Sequence, residues 1–99
     1  MDYPALTLLM QGYLHQDWNL DYPDVWAVVD DYLASDPNVA TELSGEIAIL
    51  LDSIKSEDAA MDIVVVKMYA GYYPPGDGYT VRDWLAAVLQ RARGATISE

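Results

Sequence analysis

The sequence predicts an all-α fold, a single compact bundle of about five short helices. Apolar residues recur at helical spacing along most of the chain. Prolines and N-capping residues divide the chain into segments of helix length. Only one β-branched run resembles a strand, and it has no second strand to pair with. The chain has 99 residues and is 53% hydrophobic, which suits one core and one domain, residues 1–99.

The first two helices follow from proline positions and apolar stripes. Pro4 suits the first helical position. The apolar residues that follow it at i, i+3, i+4 and i+7 spacing are Leu6, Leu9, Met10 and Tyr13. After a polar, aromatic connection, a second helix is expected to begin near Pro23 or Asp24. Its apolar stripe comprises Val25, Trp26, Val28, Val29, Tyr32 and Leu33, and we expect Trp26 to lie in the core.

The third and fourth helices begin at recognisable caps. Asp36 followed by Pro37 predicts an N-cap and first helical residue, with the third helix running to about Ile54. The residues expected to face inward on this helix are Val39, Leu43, Ile47, Leu50, Leu51 and Ile54. Glu42 and Glu46 lie one turn apart on this helix and are expected to face solvent. Ser56 begins the fourth helix. Residues 63–66 are β-branched, but helix is preferred because a lone strand would leave its backbone groups unpaired.

The last helix follows a loop rich in Tyr, Pro and Gly at residues 70–79. Thr80 is the predicted N-cap. The apolar face comprises Val81, Trp84, Leu85, Val88 and Leu89. Gly94 is expected to end the helix. Residues 1–3 and 94–99 are expected to fray.

Charge is the strongest signal in the composition. The chain has 16 acids and 5 bases, a net charge of −11, and residues 1–54 contain no Lys or Arg. Such a surface repels nucleic acid and anionic membranes, whereas it attracts basic partners and disfavours self-association, so a monomer is expected. The alternative is acidity that only maintains solubility. The lack of Cys, of a basic N-terminal region and of a long apolar run predicts a cytoplasmic protein.

Candidate catalytic and metal sites are weak. His15 with Asp17, Asp21 and Asp24 has ligand types that suit zinc or manganese. The spacing is loose, however, and a helix-capping or packing role for His15 is favoured. No serine lies in a nucleophile-elbow context, and glycines 71–78 do not match a phosphate-binding loop. We therefore predict no enzyme activity, no metal and no cofactor.

Two stretches carry a resemblance to a known family. Residues 13–18 read YLHQDW, and residues 71–74 and 78–85 read GYYP and GYTVRDWL. The first resembles the Y-[FL]-H-Q-D-W signature of the immunity proteins (CdiI) of contact-dependent growth inhibition systems. The second resembles the closing segment of that family, and the match covers roughly residues 3–90. The framework positions of the match are Tyr13, His15, Gln16, Asp17, Trp18, Trp84 and Leu85.

The resemblance implies a protein that binds and neutralises the C-terminal toxin domain of a cognate CdiA effector, often a nuclease. Acids and Tyr residues would occlude a basic active site or substrate groove. The residues predicted to contact the toxin are Asp21, Tyr22, Asp24, Asp30, Asp31, Glu42, Glu46, Tyr72, Tyr73, Asp77 and Tyr79. At least one Tyr of the 72–79 loop is expected to fold back on the bundle instead. The alternative function is an acidic module that mimics nucleic acid and binds a basic nucleic-acid-binding protein.

Overall fold

The computed structural model describes residues 3–14, 17–67 and 72–97, which contain five α-helices and no strand. The helices are α1 (Pro4–Leu8), α2 (Val25–Ser35), α3 (Val39–Ser53), α4 (Glu57–Met61) and α5 (Val81–Ile97). α1 continues as a π-helical segment, Leu9–Tyr13, and α4 as another, Asp62–Lys67. Short 3₁₀ helices span Trp18–Leu20 and Pro74–Asp77. The all-α prediction is confirmed, and the β-branched run 63–66 is helical.

The core lies between α3 and α5, which share the most extensive packing in the molecule, while α1, α2 and α4 pack around this pair. The largest fully buried side chains include Trp84, Tyr32, Leu43, Ile47, Leu50 and Leu85. These are the inward positions that the helical periodicity predicts for α2, α3 and α5. Among the described helices, none is long and apolar enough to cross a membrane.

Side chains at helix N-termini form two kinds of cap. Local caps come from Asp24, Ser56 and Thr80, whose side-chain oxygens accept hydrogen bonds from the backbone three residues later at 2.8, 3.1 and 3.0 Å. Each satisfies a backbone N–H that has no partner within its own helix. The predicted cap at Thr80 and helix start at Ser56 are confirmed.

Two other caps are carboxylates from distant helices. Glu46 of α3 accepts hydrogen bonds from the backbone N–H groups of Ala5 and Leu6, at 3.0 and 2.9 Å. Glu57 of α4 accepts from those of Val81 and Arg82, at 2.6 and 3.2 Å. These carboxylates therefore join α1 to α3 and α5 to α4, each at the positive end of a helix dipole.

The expectation that Glu46 faces solvent is wrong, because the N-terminus of α1 packs against this side of α3 and half-buries the carboxylate. The predicted start of α3 is also early. Asp36 instead accepts a hydrogen bond from the Asn38 N–H at 2.8 Å in a turn before the helix begins at Val39.

Two further expectations need correction. α5 continues beyond Gly94 to Ile97, because glycine permits a left-handed helix stop without enforcing one. Among the described glycines only Gly78 has a positive φ, of 90°. Trp26 is half-buried at the edge of the core, where its ring contacts Trp84, Tyr79 and Arg91.

Candidate functional site

A chain of aromatic contacts joins the two stretches that carry the family resemblance. Ring-centroid distances are 5.7 Å from Trp18 to Tyr72, 5.3 Å from Tyr72 to Trp84, 6.5 Å from Trp84 to Trp26, and 6.0 Å from Trp26 to Tyr79. Edge-to-face and tilted pairs at these distances are favourable. The row therefore fixes the connection before α2, the 72–79 loop and the start of α5 relative to one another.

Arg91 packs against the Trp26 ring of this row. Its guanidinium lies 4.9 Å from the centre of the Trp26 ring, within cation–π range. The same group makes two hydrogen bonds to Asp30, at 2.9 and 3.1 Å, and these bonds raise the pKa of Arg91. Asp30, a predicted contact residue, is thus neutralised by a base of the same chain. No contact of Arg91 was predicted from the sequence.

The 72–79 loop divides its tyrosines between core and surface. Tyr72 is buried, and its hydroxyl donates a hydrogen bond to Asp77 at 2.8 Å. Burial and this hydrogen bond raise the pKa of Tyr72. Tyr73 is 55% exposed, and Tyr79 is half-buried against Trp26. The expectation that at least one of these tyrosines folds back on the bundle is confirmed by Tyr72.

Acidic and tyrosine side chains meet beside α2. The Tyr22 hydroxyl donates a 2.5 Å hydrogen bond to Asp31, and this bond raises the pKa of Tyr22 to about 12. The charge of Asp21 and the hydroxyl of Tyr13 act on the same phenol in the same direction. Asp21 and Asp31 are exposed, while Tyr13 and Tyr22 are half-buried. We call Tyr13, Asp21, Tyr22 and Asp31 the acidic–tyrosine face.

Tyr13 also packs against Tyr32, and both residues line a groove between α1, α2 and α3. The Tyr13 ring lies 4.7 Å from that of Tyr32, whose hydroxyl donates to the Ala5 carbonyl at 2.7 Å. Burial is the main cause that raises the pKa of Tyr32 to about 12, and the charges of Glu46 and Glu42 add to it. The Tyr32 hydroxyl therefore lies near two negatively charged side chains.

Most of the predicted contact residues lie in three groups. Asp21, Tyr22 and Asp31 lie together on the acidic–tyrosine face. Asp30 and Tyr79 lie beside Trp26, and Tyr72 and Asp77 contact each other in the loop. Asp24 is exposed but its side chain caps α2, and Glu46 is directed toward α1. Tyr79 of the loop contacts Trp26 of α2.

The framework positions are partly described. Trp84 and Leu85 are fully buried, Trp18 and Tyr13 are half-buried, and Asp17 is exposed. His15 and Gln16, and with them the alternatives of metal ligation or helix capping for His15, lie outside the described residues. Within the described ranges, no group of three or more His, Asp or Glu residues is placed to hold a metal ion.

Comparison with known proteins gives one family and one structural relative of note. The family model described as CdiI immunity protein matches residues 2–92. A chain in the crystal structure of the CdiA-CT/CdiI complex from Y. kristensenii 33638 is similar, with a TM-score of 0.85 and 24% sequence identity. The similarity covers 92% of this chain and 93% of that chain, and at this identity it shows a shared fold. The comparison with curated proteins finds no match.

Proposed function

The chain belongs to the CdiI immunity protein family, and from this premise we propose that it binds and neutralises the C-terminal toxin domain of a cognate CdiA protein. The structural relative, whose crystal structure contains a CdiA-CT together with CdiI, supports this partner. Binding of this kind requires no catalysis by the chain itself. It would act inside the cell that produces it, before the toxin reaches its substrate.

The acidic–tyrosine face is the proposed centre of the interface, and the observation that carries this choice is the Tyr22–Asp31 hydrogen bond. It fixes an exposed carboxylate beside a half-buried aromatic ring, so both are ordered before binding. Pre-ordered aromatic and charged groups lose little entropy on association. Asp21 adds a second exposed carboxylate close to the same ring. Tyr73 and Asp77 extend the proposed contact to the loop.

The proposed toxin is a nuclease with a basic cleft. The net charge of −11 favours a partner of opposite charge and speeds the encounter. Carboxylates at the surface would occupy positions where the phosphates of a nucleic acid substrate lie, and would so block the substrate groove. Binding at the active site would leave no access for substrate, whereas binding elsewhere would leave cleavage of small substrates intact.

Calorimetry tests this proposal with the toxin domain of the CdiA encoded beside this chain. We expect tight binding that weakens as salt is raised, because exposed charge pairs are screened. Asp31→Lys is expected to lower affinity by about 10- to 100-fold, since charge reversal replaces an attraction with a repulsion. Asp52→Lys, which makes the same charge change at an exposed residue whose carboxylate lies 3.9 Å from the Lys55 ammonium, is the control. Equal affinities for the two variants would contradict the proposed interface, and no binding by the wild-type chain would contradict the toxin pairing.

A further inference from the structure

A groove of about 360 Å³ lies between α1, the end of α2 and the first turn of α3. This volume is at the low end of the range for pockets that hold small-molecule-sized groups, about 300–1,000 Å³. Apolar and aromatic groups form its walls and two carboxylates lie at its edge. The residues that matter for its chemistry are Pro4, Leu8, Tyr13, Tyr32, Asp36 and Glu42.

The acidic residues within residues 1–54 differ in whether their carboxylates already have a hydrogen-bond or ion-pair partner in the chain. Asp30 pairs with Arg91, Asp31 accepts from Tyr22, and Glu46 caps α1. Glu42 is exposed, and no hydrogen bond or ion pair within the described residues involves its carboxylate. Asp36 uses one oxygen, Oδ1, to accept from the Asn38 N–H. Among the described residues, the groove therefore has one carboxylate without a hydrogen-bond partner, that of Glu42, and one partly used, that of Asp36.

We propose that this groove receives an arginine side chain of the toxin, with its stem on Leu8 and Pro4 and its guanidinium between the Tyr13 ring and Glu42. This inference rests on the proposed function. It adds a specific contact that the acidic–tyrosine face does not supply.

Arginine fits the groove better than lysine does. A guanidinium is planar, stacks on aromatic faces and bonds carboxylates through two N–H groups, whereas an ammonium is a compact, strongly hydrated charge. The half-buried ring of Tyr13 provides the aromatic surface, and its tilted packing on the buried ring of Tyr32 holds it in place. Among the residues that the structure describes, no basic one lines the groove. Arg91 shows the same recognition elsewhere in this chain, since it contacts both Trp26 and a carboxylate.

The position of the groove also favours a role in the same interface. Tyr13 belongs to the groove and, through its effect on Tyr22, to the acidic–tyrosine face. A toxin surface that covers Asp31 and Tyr22 would therefore meet the groove at its border. Glu42 lines the groove and is exposed, so its negative charge lies where an entering guanidinium would need it.

The first test measures the affinity of the full chain and its variants for the neighbouring CdiA toxin domain by calorimetry. Glu42→Gln is expected to lower affinity about 10-fold and Glu42→Lys about 100-fold or more, because the second change also repels the guanidinium. Asp52→Asn removes one exposed carboxylate elsewhere and is expected to change affinity less than about two-fold. Circular dichroism checks that each variant is folded.

If the wild-type chain binds the toxin and Glu42→Gln binds equally well, the groove proposal is overturned and the proposed function stands. If the wild-type chain does not bind, the proposed function fails for that toxin. In that case, NMR titration of the full chain with N-acetyl-arginine methylamide tests the groove proposal. Shifts at Leu8 and Val39 that the citrulline analogue does not produce, and that Glu42→Gln removes, would support the proposal. No shifts, or equal shifts with citrulline, would overturn it.

Discussion

The carboxylate of Glu46 provides the sharpest test of how this bundle is held together. Glu46→Gln keeps the shape of the side chain and removes its charge. The substitution leaves one acceptor oxygen for two backbone donors, those of Ala5 and Leu6, which now bond at 3.0 and 2.9 Å. The amide nitrogen of the new side chain then faces a backbone N–H, and two donors cannot bond each other.

The expected cost follows from these two bonds. A hydrogen bond to a charged group contributes about 1.5–3 kcal/mol, and a half-buried donor without a partner costs about 1–3 kcal/mol. The loss of one bond and the weakening of the other should lower the free energy of unfolding by about 2–3 kcal/mol. For a domain of this size, such a loss corresponds to a decrease in Tm of roughly 8–20 °C.

Urea denaturation followed by circular dichroism measures this loss, and Glu42→Gln is the matched control. Glu42 lies one turn earlier on α3, and its carboxylate makes no hydrogen bond among the described residues. Its charge contributes only through the helix dipole, about 0.3–1 kcal/mol. Equal losses of stability for the two variants, within about 0.5 kcal/mol, would refute the assignment of Glu46 as the cap of α1.

Two further predictions concern the tyrosines and a glycine. The pKa values of Tyr22 and Tyr32 are raised to about 12 and that of Tyr72 is raised as well, so their stabilising effect should be constant below pH 10 and decrease as pH rises toward 12. Phenolate absorbance should show that part of the tyrosine ionises only as the pH approaches 12, and Tyr22→Phe should reduce this part. Complete ionisation of all tyrosines in a single transition near pH 10 would contradict this prediction. Gly78→Ala should destabilise the chain by about 1 kcal/mol, because Gly78 has a φ of 90°. Gly76→Ala, where a Cβ meets Tyr73 only at 3.7 Å, should cost less than about 0.5 kcal/mol, and thermal melts that rank the two variants the other way would contradict the argument.

The features that sequence predicted well depend on residues close together in the chain. Helical periodicity placed the buried residues of α3 and α5, because the positions facing one core repeat within each helix. The caps at Ser56 and Thr80 involve a backbone amide three residues away, so a short motif contains the whole interaction. Helix was the correct choice for residues 63–66, because a strand there would have had no pairing partner.

The features that sequence missed depend on how helices pack. Glu46 and Ala5 are 41 positions apart, and Glu57 and Val81 are 24 apart. No local motif indicates which helix N-terminus will lie beside a given carboxylate. The prediction that α5 ends at Gly94 was wrong for a related reason. The local preference of glycine for helix ends does not fix the end of a helix, and α5 continues to Ile97.

The same limit applies to the acidic surface and explains why net charge alone does not locate an interface. Glu42 and Glu46 share a helix, a side-chain type and nearly the same helical direction, yet Glu46 binds the N-terminus of α1 while Glu42 has no described partner. The two residues should therefore separate stability from binding. Glu46→Gln should lower the free energy of unfolding and leave the toxin affinity of the folded molecules unchanged, whereas Glu42→Gln should do the reverse. If both substitutions affected both properties equally, the acids of this chain would act only through their summed charge, and the contact assignments would have no basis.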